Sequence, residues 1–146
     1  MPAAAADPDS VPAPLASAAS HLAPEPGSGT EVSPYVRRLA ALINEYRADR
    51  GLAPLELVPD LSALASEHSL QMAEQRHLSH DGFRNRFDRT RARLCVENVG
   101  VNFPHAEAQL DGWRASPGHH RNLLEPKVGR MGIAMSSRFV TYFACS

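Results

Sequence analysis

The sequence predicts an α+β domain in which helices pack on the faces of an antiparallel sheet. Three observations lead to this class. Apolar residues recur at helical spacing in three long segments, and runs rich in β-branched and aromatic residues occupy the middle and the end of the chain. The helical and strand-like segments do not alternate in the order that a parallel sheet requires. The 146 residues, 43% of them apolar, suffice for one domain with one core.

The first helix is predicted to begin at Ser33-Pro34 and to end before Gly51. Serine is a favoured N-cap residue, and proline is favoured at the first helical position because its missing N–H is not needed there. An extended connector, residues 52–59, follows because two prolines hold it out of helical conformation. Asp60 is then predicted to cap a second helix. One stripe of that helix should face the core, and it contains Leu61, Leu64, Ala65, His68 and Met72.

The second half of the chain predicts a short helix, a strand, a third long helix, a helical turn and a terminal hairpin. The strand is assigned from its β-branched valines, and the hairpin from two apolar runs separated by three polar residues. In chain order these elements cover residues 83–94, 95–103, 105–115 and 121–124, and the hairpin covers 131–135 and 139–144.

Residues 1–30 differ in composition from the rest of the chain. They hold six of the 12 prolines and three acidic residues but no Lys or Arg, and they show no apolar periodicity. Such a segment buries too little apolar surface to order itself, so we expect a disordered Ala/Pro-rich tail in residues 1–30 and a domain in residues 31–146. No apolar run is long enough to span a membrane. A chain from which an export signal has been removed would have this composition.

The charge balance excludes one class of partner. Residues 31–146 carry 15 basic and 13 acidic side chains, which gives no electrostatic reason to expect nucleic acid binding. Five basic residues nevertheless lie within ten positions, and these are Arg84, Arg86, Arg89, Arg91 and Arg93. We interpret them as a solvated helix face, with an anion site as the alternative.

The two cysteines, Cys95 and Cys145, lie in two predicted strands. If both strands belong to one sheet, a disulfide is geometrically plausible and would indicate an oxidising compartment. Two inert buried thiols or a reactive cysteine are the alternatives. We favour the disulfide, because nothing beside either residue resembles the helix N-terminus that activates a thiol.

Residues whose side chains could take part in catalysis or ligand binding are concentrated in three fragments. In the longest, residues 113–132, a Ser-Pro-Gly turn follows Trp113 and places His119 where the chain turns, so that its imidazole can leave the packed face. The second fragment ends in His80, directly before an Asp-Gly turn, and the third holds Glu97 within a strand. These two histidines and the carboxylate can converge on one site.

The order and amino-acid sequences of these fragments resemble those of the CAP superfamily, which comprises the cysteine-rich secretory, antigen 5 and pathogenesis-related-1 proteins. The resemblance is to its bacterial SCP-like branch in particular. The resemblance runs from about Val36 to Phe143 and rests on the ordered fragments LINEYR, GLAPL, LSHDG, CVENVG and WRASPGHHRNLL. It implies a three-layer α-β-α sandwich with a small antiparallel sheet. It also implies a secreted or cell-envelope protein with a cleft that gathers two histidines and two acidic residues.

Carried onto this sequence, the resemblance implies metal ligands at His80 and His119 and a neighbouring carboxylate at Glu97. The family's second acidic position is Ser116 here, so two protein ligands remain. Two imidazoles suit Zn²⁺ or a similar divalent cation, but structural zinc needs four ligands and catalytic zinc usually three. We therefore expect a divalent metal, zinc by its chemistry, to bind weakly and exchangeably.

Other histidines provide alternatives. His77 and His120 lie beside the two candidates and could replace them, although only one of two adjacent residues can face a given cleft. His68 is expected to be a hydrogen-bonded core residue. In a purely structural alternative, the candidate histidines only brace a cleft through hydrogen bonds to Glu97 and Ser116.

Two functions from different classes are consistent with these residues. The first is a secreted, monomeric binding module whose cleft takes a divalent cation and whose grooves engage a lipid, sterol, polysaccharide or protein ligand. The second is a metal-assisted hydrolase, a protease or esterase, with Glu97 as general base and Ser116 as a polar auxiliary. A Ser-His-Asp triad is disfavoured because Ser116 lacks a G-x-S-x-G context. We favour the binding module, because a hydrolase usually holds its metal with a third ligand.

Overall fold

The computed structural model of the protein describes residues 32–146, so the tail predicted for residues 1–30 lies outside the described residues. Five helices and four strands follow one another in this part of the chain. The helices are α1 Pro34–Asp49, α2 Pro59–Gln75, α3 Phe83–Thr90, α4 Ala106–Arg114 and α5 Pro117–Leu123. The strands are β1 Glu56–Leu57, β2 Cys95–Val101, β3 Arg130–Ser136 and β4 Phe139–Cys145.

The four strands form one sheet in the order β1-β3-β4-β2. Strand β4 pairs antiparallel with β3, as predicted for the hairpin, and it also pairs antiparallel with β2. Strand β1 was not predicted, and it pairs parallel with β3 through Glu56 and Leu57. The sheet is therefore mixed rather than purely antiparallel. A two-residue strand has no periodicity of its own, so only its pairing with a distant strand reveals it.

Helices cover both faces of this sheet and form the predicted three-layer sandwich. Buried side chains of α1, α4 and α5 form one core cluster with Val96, Tyr142 and Ala144. Those of α2 and α3 form a second cluster with Phe143 on the opposite face. Successive strand residues point to opposite faces, so β2 sends alternate side chains into each helical layer. This alternation decides where the candidate site residues point.

The first helix begins as predicted, and the second begins two residues earlier than predicted. Ser33 Oγ accepts a hydrogen bond from Val36 N at 3.2 Å and caps α1. Asp60 does not cap α2; the N-cap position is Val58, without a side-chain hydrogen bond, and Pro59 is the first helical residue. The fixed φ of proline suits that position, so the helix starts there without a side-chain cap.

The hairpin has a shorter loop than predicted, and the cysteines are bonded. Ser136 pairs with Phe139, which leaves two loop residues rather than three. Cys95 and Cys145 face each other across β2 and β4 with their Cα atoms 4.1 Å apart, and they form a disulfide. This outcome confirms the favoured alternative. The bond closes a loop of 50 residues, which stabilises the fold by about 4 kcal/mol in the chain-entropy model.

Strand β2 lies at the edge of the sheet, and side chains from α4 and α5 cover that edge. The indole Nε1 of Trp113 donates to Val99 O at 3.0 Å, and Asn122 Nδ2 donates to Glu97 O at 3.2 Å. Unpaired strand edges invite pairing with other chains, so these two hydrogen bonds both satisfy the backbone and protect it. They also fix the position of the strand that carries Glu97.

Candidate functional site

His80 and Glu97 meet where the loop between α2 and α3 contacts β2. The carboxylate of Glu97 is fully buried, and its Oε1 lies 2.8 Å from His80 Nδ1. An ionised carboxylate can only accept hydrogen bonds, so Nδ1 of His80 is the donor. The structure thus brings together two of the residues that the sequence analysis selected.

A third residue, Arg86, completes this cluster. Its Nε donates to Glu97 Oε2 and its Nη2 donates to Glu97 Oε1, both at 2.8 Å. The arginine is only 4% exposed, so its interpretation as part of a solvated helix face was wrong. The other four arginines of that run are exposed, as predicted. A buried carboxylate requires a buried cation, and this requirement is the signal that could have identified Arg86.

The loop that carries His80 is braced by several hydrogen bonds. Arg86 Nη1 donates to Asp81 O at 2.8 Å, and Asp81 N donates to Ser79 Oγ at 3.2 Å. From α2, the imidazole of His68 approaches Ser79 O at 2.6 Å through Nε2, which must therefore carry a proton. His68 is buried, as predicted for a hydrogen-bonded core histidine. It acts on the site by holding the backbone next to His80.

Burial lowers the pKa of the His68 side chain. Desolvation lowers the pKa of His68 from its usual value of 6.5; the carboxylate of Glu97 opposes that shift, and the guanidinium of Arg86 adds to it. A neutral imidazole is therefore favoured in the folded protein. The unfolded chain has no such preference, so the stability of the domain must depend on pH through this residue.

We expect the free energy of unfolding to fall more steeply below about pH 6.5 in the wild-type protein than in a His68→Gln variant. Below that pH the unfolded chain binds a proton at His68, whereas the folded protein, with its lowered pKa, resists protonation. The contribution of neutral His68 to the free energy of unfolding is fully present above that pH. It is lost as the pH falls, by up to about 1.4 kcal/mol per pH unit. Urea unfolding at about pH 7.5 and 5.5 measures the difference. Equal pH dependence in the two proteins would contradict this account.

His119 lies in a different environment from the one predicted. Helix α5 begins at Pro117, so His119 belongs to its first turn and is fully buried instead of leaving the packed face. The helix that carries Trp113 does end before Pro117, at Arg114, but a new helix starts at this proline, which is well suited to a first helical position. The ring of His119 lies 6.5 Å from that of Trp113, and Asn98 Nδ2 donates to His119 O at 3.1 Å.

The residues beside the two candidates point elsewhere or take other roles. His120 Nε2 lies 2.6 Å from Tyr46 Oη, so this imidazole faces α1. His77 is exposed at the end of α2. Ser116 is buried at the N-cap position of α5, directly before the turn that carries His119. The adjacent histidines therefore do separate, as the sequence analysis assumed.

His80 and His119 approach β2 from opposite faces of the sheet. Glu97, which contacts His80, points toward α3, whereas Asn98, which contacts the backbone of His119, points toward α5. A shared ion would therefore have to lie at the edge of β2. Within residues 32–146 no group of three or more His, Cys, Asp or Glu side chains is arranged to hold a metal ion.

Two grooves lie apart from this cluster. The larger, about 470 Å³, is mostly apolar and lies between the first turn of α1, the start of α2 and β3, with Val36, Leu57 and Met135 in its wall. The smaller, about 220 Å³, lies between α1 and α4 and is lined by Tyr46 and several carboxylates. The larger volume is within the range of small-molecule sites in proteins.

Comparison with known families decides the classification. The profile of the cysteine-rich secretory protein (CAP) family matches residues 40–145. The chain belongs to the CAP family. Among curated relatives of this CAP domain, the uncharacterised Bacillus subtilis protein YkwD is 26% identical over 111 residues, which cover 71% of this chain and 43% of YkwD. The uncharacterised Bacillus subtilis membrane protein YlbC is 26% identical over 112 residues, which cover 72% of this chain and 32% of YlbC. The chain thus spans less than half the length of these relatives.

Solved structures share the fold of this CAP domain. An extracellular SCP-domain protein of Bacillus anthracis superposes with a TM-score of 0.72 at 24% identity, over 79% of this chain and 44% of that one. A cysteine-rich secretory protein of Staphylococcus aureus gives a TM-score of 0.71 at 22% identity, over 84% of this chain and 40% of that one. An outer surface protein of Borrelia burgdorferi gives 0.70 at 19% identity, over 75% and 90%. These likenesses establish the α-β-α sandwich of the family.

The described helices also bear on membrane association. None of the helices within residues 32–146 is both long and apolar enough to cross a membrane.

Proposed function

We propose that this CAP domain is an extracellular binding module whose cleft, formed by His80, Glu97 and His119, takes a divalent cation weakly. The observation that carries the proposal is the Arg86–Glu97 pair. Arg86 occupies both carboxylate oxygens of Glu97, while the buried Nε2 of His80 has no hydrogen-bond partner among the described residues. The cluster thus presents one nitrogen lone pair, on His80 Nε2, and no carboxylate oxygen without a hydrogen bond.

The residues present fit a metal ligand at His80. A metal-binding histidine commonly donates its second ring N–H to a carboxylate, which fixes the ring and leaves the other nitrogen for the metal. His80 makes that hydrogen bond to Glu97 through Nδ1. His119 would supply the second nitrogen. A bound Zn²⁺ would contribute Lewis acidity and a positive charge at the edge of β2. Two protein ligands support weak and exchangeable binding.

The geometry argues against the hydrolase alternative. A general base must accept a proton from water, but both oxygens of Glu97 already accept hydrogen bonds from the guanidinium of Arg86 at 2.8 Å. Freeing one of them would break one of the two hydrogen bonds that pair the buried arginine with Glu97. Ser116 likewise lies buried before α5. A binding role requires neither residue to change its contacts.

Two further observations support an extracellular role. The Cys95–Cys145 disulfide is typical of proteins in oxidising compartments, and related structures come from proteins described as extracellular or outer surface. The apolar groove beside α2 offers room for a second ligand, of the lipid, sterol, polysaccharide or protein classes considered above.

Zinc titration tests the proposal. At about pH 7.5, where histidines are largely neutral, we expect one weak site by calorimetry in the wild-type protein. His80→Ala and His119→Gln should each abolish it, because each removes one of two ligands. His120→Ala should retain it, since that imidazole contacts Tyr46 on α1. Chelation should leave the unfolding midpoint unchanged, because the apolar core supplies most of the stability.

The pattern across these variants separates the alternatives. Loss of zinc binding in His120→Ala but not in His119→Gln would move the ligand by one position along α5. Binding that survives both His80→Ala and His119→Gln would contradict the proposed site. Circular dichroism of each variant should confirm that the fold is intact, which matters most for the fully buried His119.

A further inference from the structure

We infer that Arg86 is the positioning residue of this site: it fixes the Glu97 carboxylate and, through it, holds His80 in the tautomer whose Nε2 is free to bind a ligand. The inference deepens the proposed function, on which its relevance to a ligand rests. It concerns a residue that lies outside the predicted cleft and touches neither candidate ligand atom.

The first step is the bidentate ion pair, or fork, between the guanidinium of Arg86 and the carboxylate of Glu97. Two parallel N–H···O bonds of 2.8 Å join the guanidinium to the carboxylate. Both side chains are buried, at 5% and 0% exposure. A bidentate pair of this kind fixes the plane of the carboxylate as well as its charge, which a single ammonium group cannot do. Oε1 is therefore held in one place, where it receives Nδ1 of His80.

The second step is the backbone of His80. The same guanidinium donates from Nη1 to Asp81 O at 2.8 Å, and its Nη2 lies 3.5 Å from His80 O. Arg86 thus holds both the chain segment that carries the imidazole and the acceptor that orients it.

The third step is the tautomer. In a neutral imidazole one nitrogen donates and the other accepts, and the partner of the first sets which is which. Because Glu97 Oε1 accepts from Nδ1, the lone pair resides on Nε2, which is buried without a hydrogen-bond partner among the described residues. Without Arg86 the isolated carboxylate would be too costly to keep charged in the core. A protonated carboxyl group can donate to Nδ1 as well as accept from it, so His80 would populate both tautomers.

Nitrogen-15 chemical shifts of the histidine rings report this tautomer directly. In metal-free wild-type protein at about pH 8, where a histidine is mostly neutral, we expect His80 to show a protonated Nδ1 and an unprotonated Nε2. Arg86→Met should move both shifts toward the average of the two tautomers. Arg84→Met provides the matched control, because Arg84 lies on the same helix but pairs with Asp88 at the surface, with 70% of its side chain exposed. It should leave the wild-type shifts unchanged.

Arg86→Lys tests the same point if the methionine variant does not fold, since it keeps a cation in the core but cannot form the fork. We expect averaged shifts there too. Wild-type shifts in a folded Arg86→Met or Arg86→Lys protein would overturn the inference, because Glu97 alone would then suffice. The tautomer is measured without metal. A protein that shows the expected shifts but binds no zinc would therefore contradict the proposed function and leave the role of Arg86 intact.

Discussion

Replacing Gly132 by alanine is expected to destabilise the domain more than any other single-methyl addition. Gly132 lies in β3, opposite Phe143, and a Cβ built on it would overlap the backbone carbonyl of Leu61 and the nitrogen of Ser62. These atoms belong to α2, so no side chain can rotate away and the whole helix would have to separate from the sheet. We expect a loss of at least about 3 kcal/mol, at the upper end of overpacking effects.

Gly129→Ala is the matched control for this substitution. Gly129 precedes β3 by one residue, and a Cβ there would meet nothing within 4 Å. Thermal unfolding followed by circular dichroism should show a midpoint lowered by more than about 10 °C for Gly132→Ala and nearly unchanged for Gly129→Ala. Similar midpoints for the two variants would mean that α2 does not pack on β3 as closely as described.

The parts of the fold that local chemistry encodes were predictable from the sequence. Ser33-Pro34 starts α1 because capping and proline geometry are local properties, and the valines of β2 identify a strand in the same way. The register that joins Cys95 to Cys145 and the parallel pairing of β1 depend on residues far apart in the chain. Periodicity contains no information on such pairing, so the disulfide was one of three alternatives and β1 was missed.

The candidate site was predictable only in part, for a similar reason. His80 and Glu97 were selected by resemblance, and the structure places them in contact. Arg86 was missed because the arginine run resembles a solvated helix face, and four of its five members do lie at the surface. A buried arginine can be identified only from the carboxylate with which it pairs, and that carboxylate belongs to another element of the fold. His119 was assigned to a turn because Pro117 was interpreted as a helix breaker rather than as the first residue of α5.

Breaking the Arg86–Glu97 pair is the second change with a large expected effect. Arg86→Met leaves the fully buried Glu97 without its cation, and Glu97→Met leaves the buried guanidinium without its anion. Removing one partner of a buried ion pair costs about 3–5 kcal/mol, because the desolvation of the remaining charge is no longer compensated. We expect each single variant to lose stability by that amount in urea unfolding.

The double variant Arg86→Met/Glu97→Met should be more stable than either single variant, since it buries no uncompensated charge and both replacements are apolar. The chain offers a control of the same chemistry in Arg89 and Glu67, which form a similar two-bond pair of 2.8 and 3.1 Å at the surface. Both of those side chains are about half exposed, at 47% and 57%. Water solvates either charge when its partner is removed. The same set of single and double methionine variants at Arg89 and Glu67, a double-mutant cycle, should therefore show little coupling energy. Equal coupling energies in the Arg86/Glu97 and Arg89/Glu67 double-mutant cycles would mean that burial does not determine the strength of the Arg86–Glu97 pair. The site would then lack the rigid carboxylate on which the orientation of His80 depends.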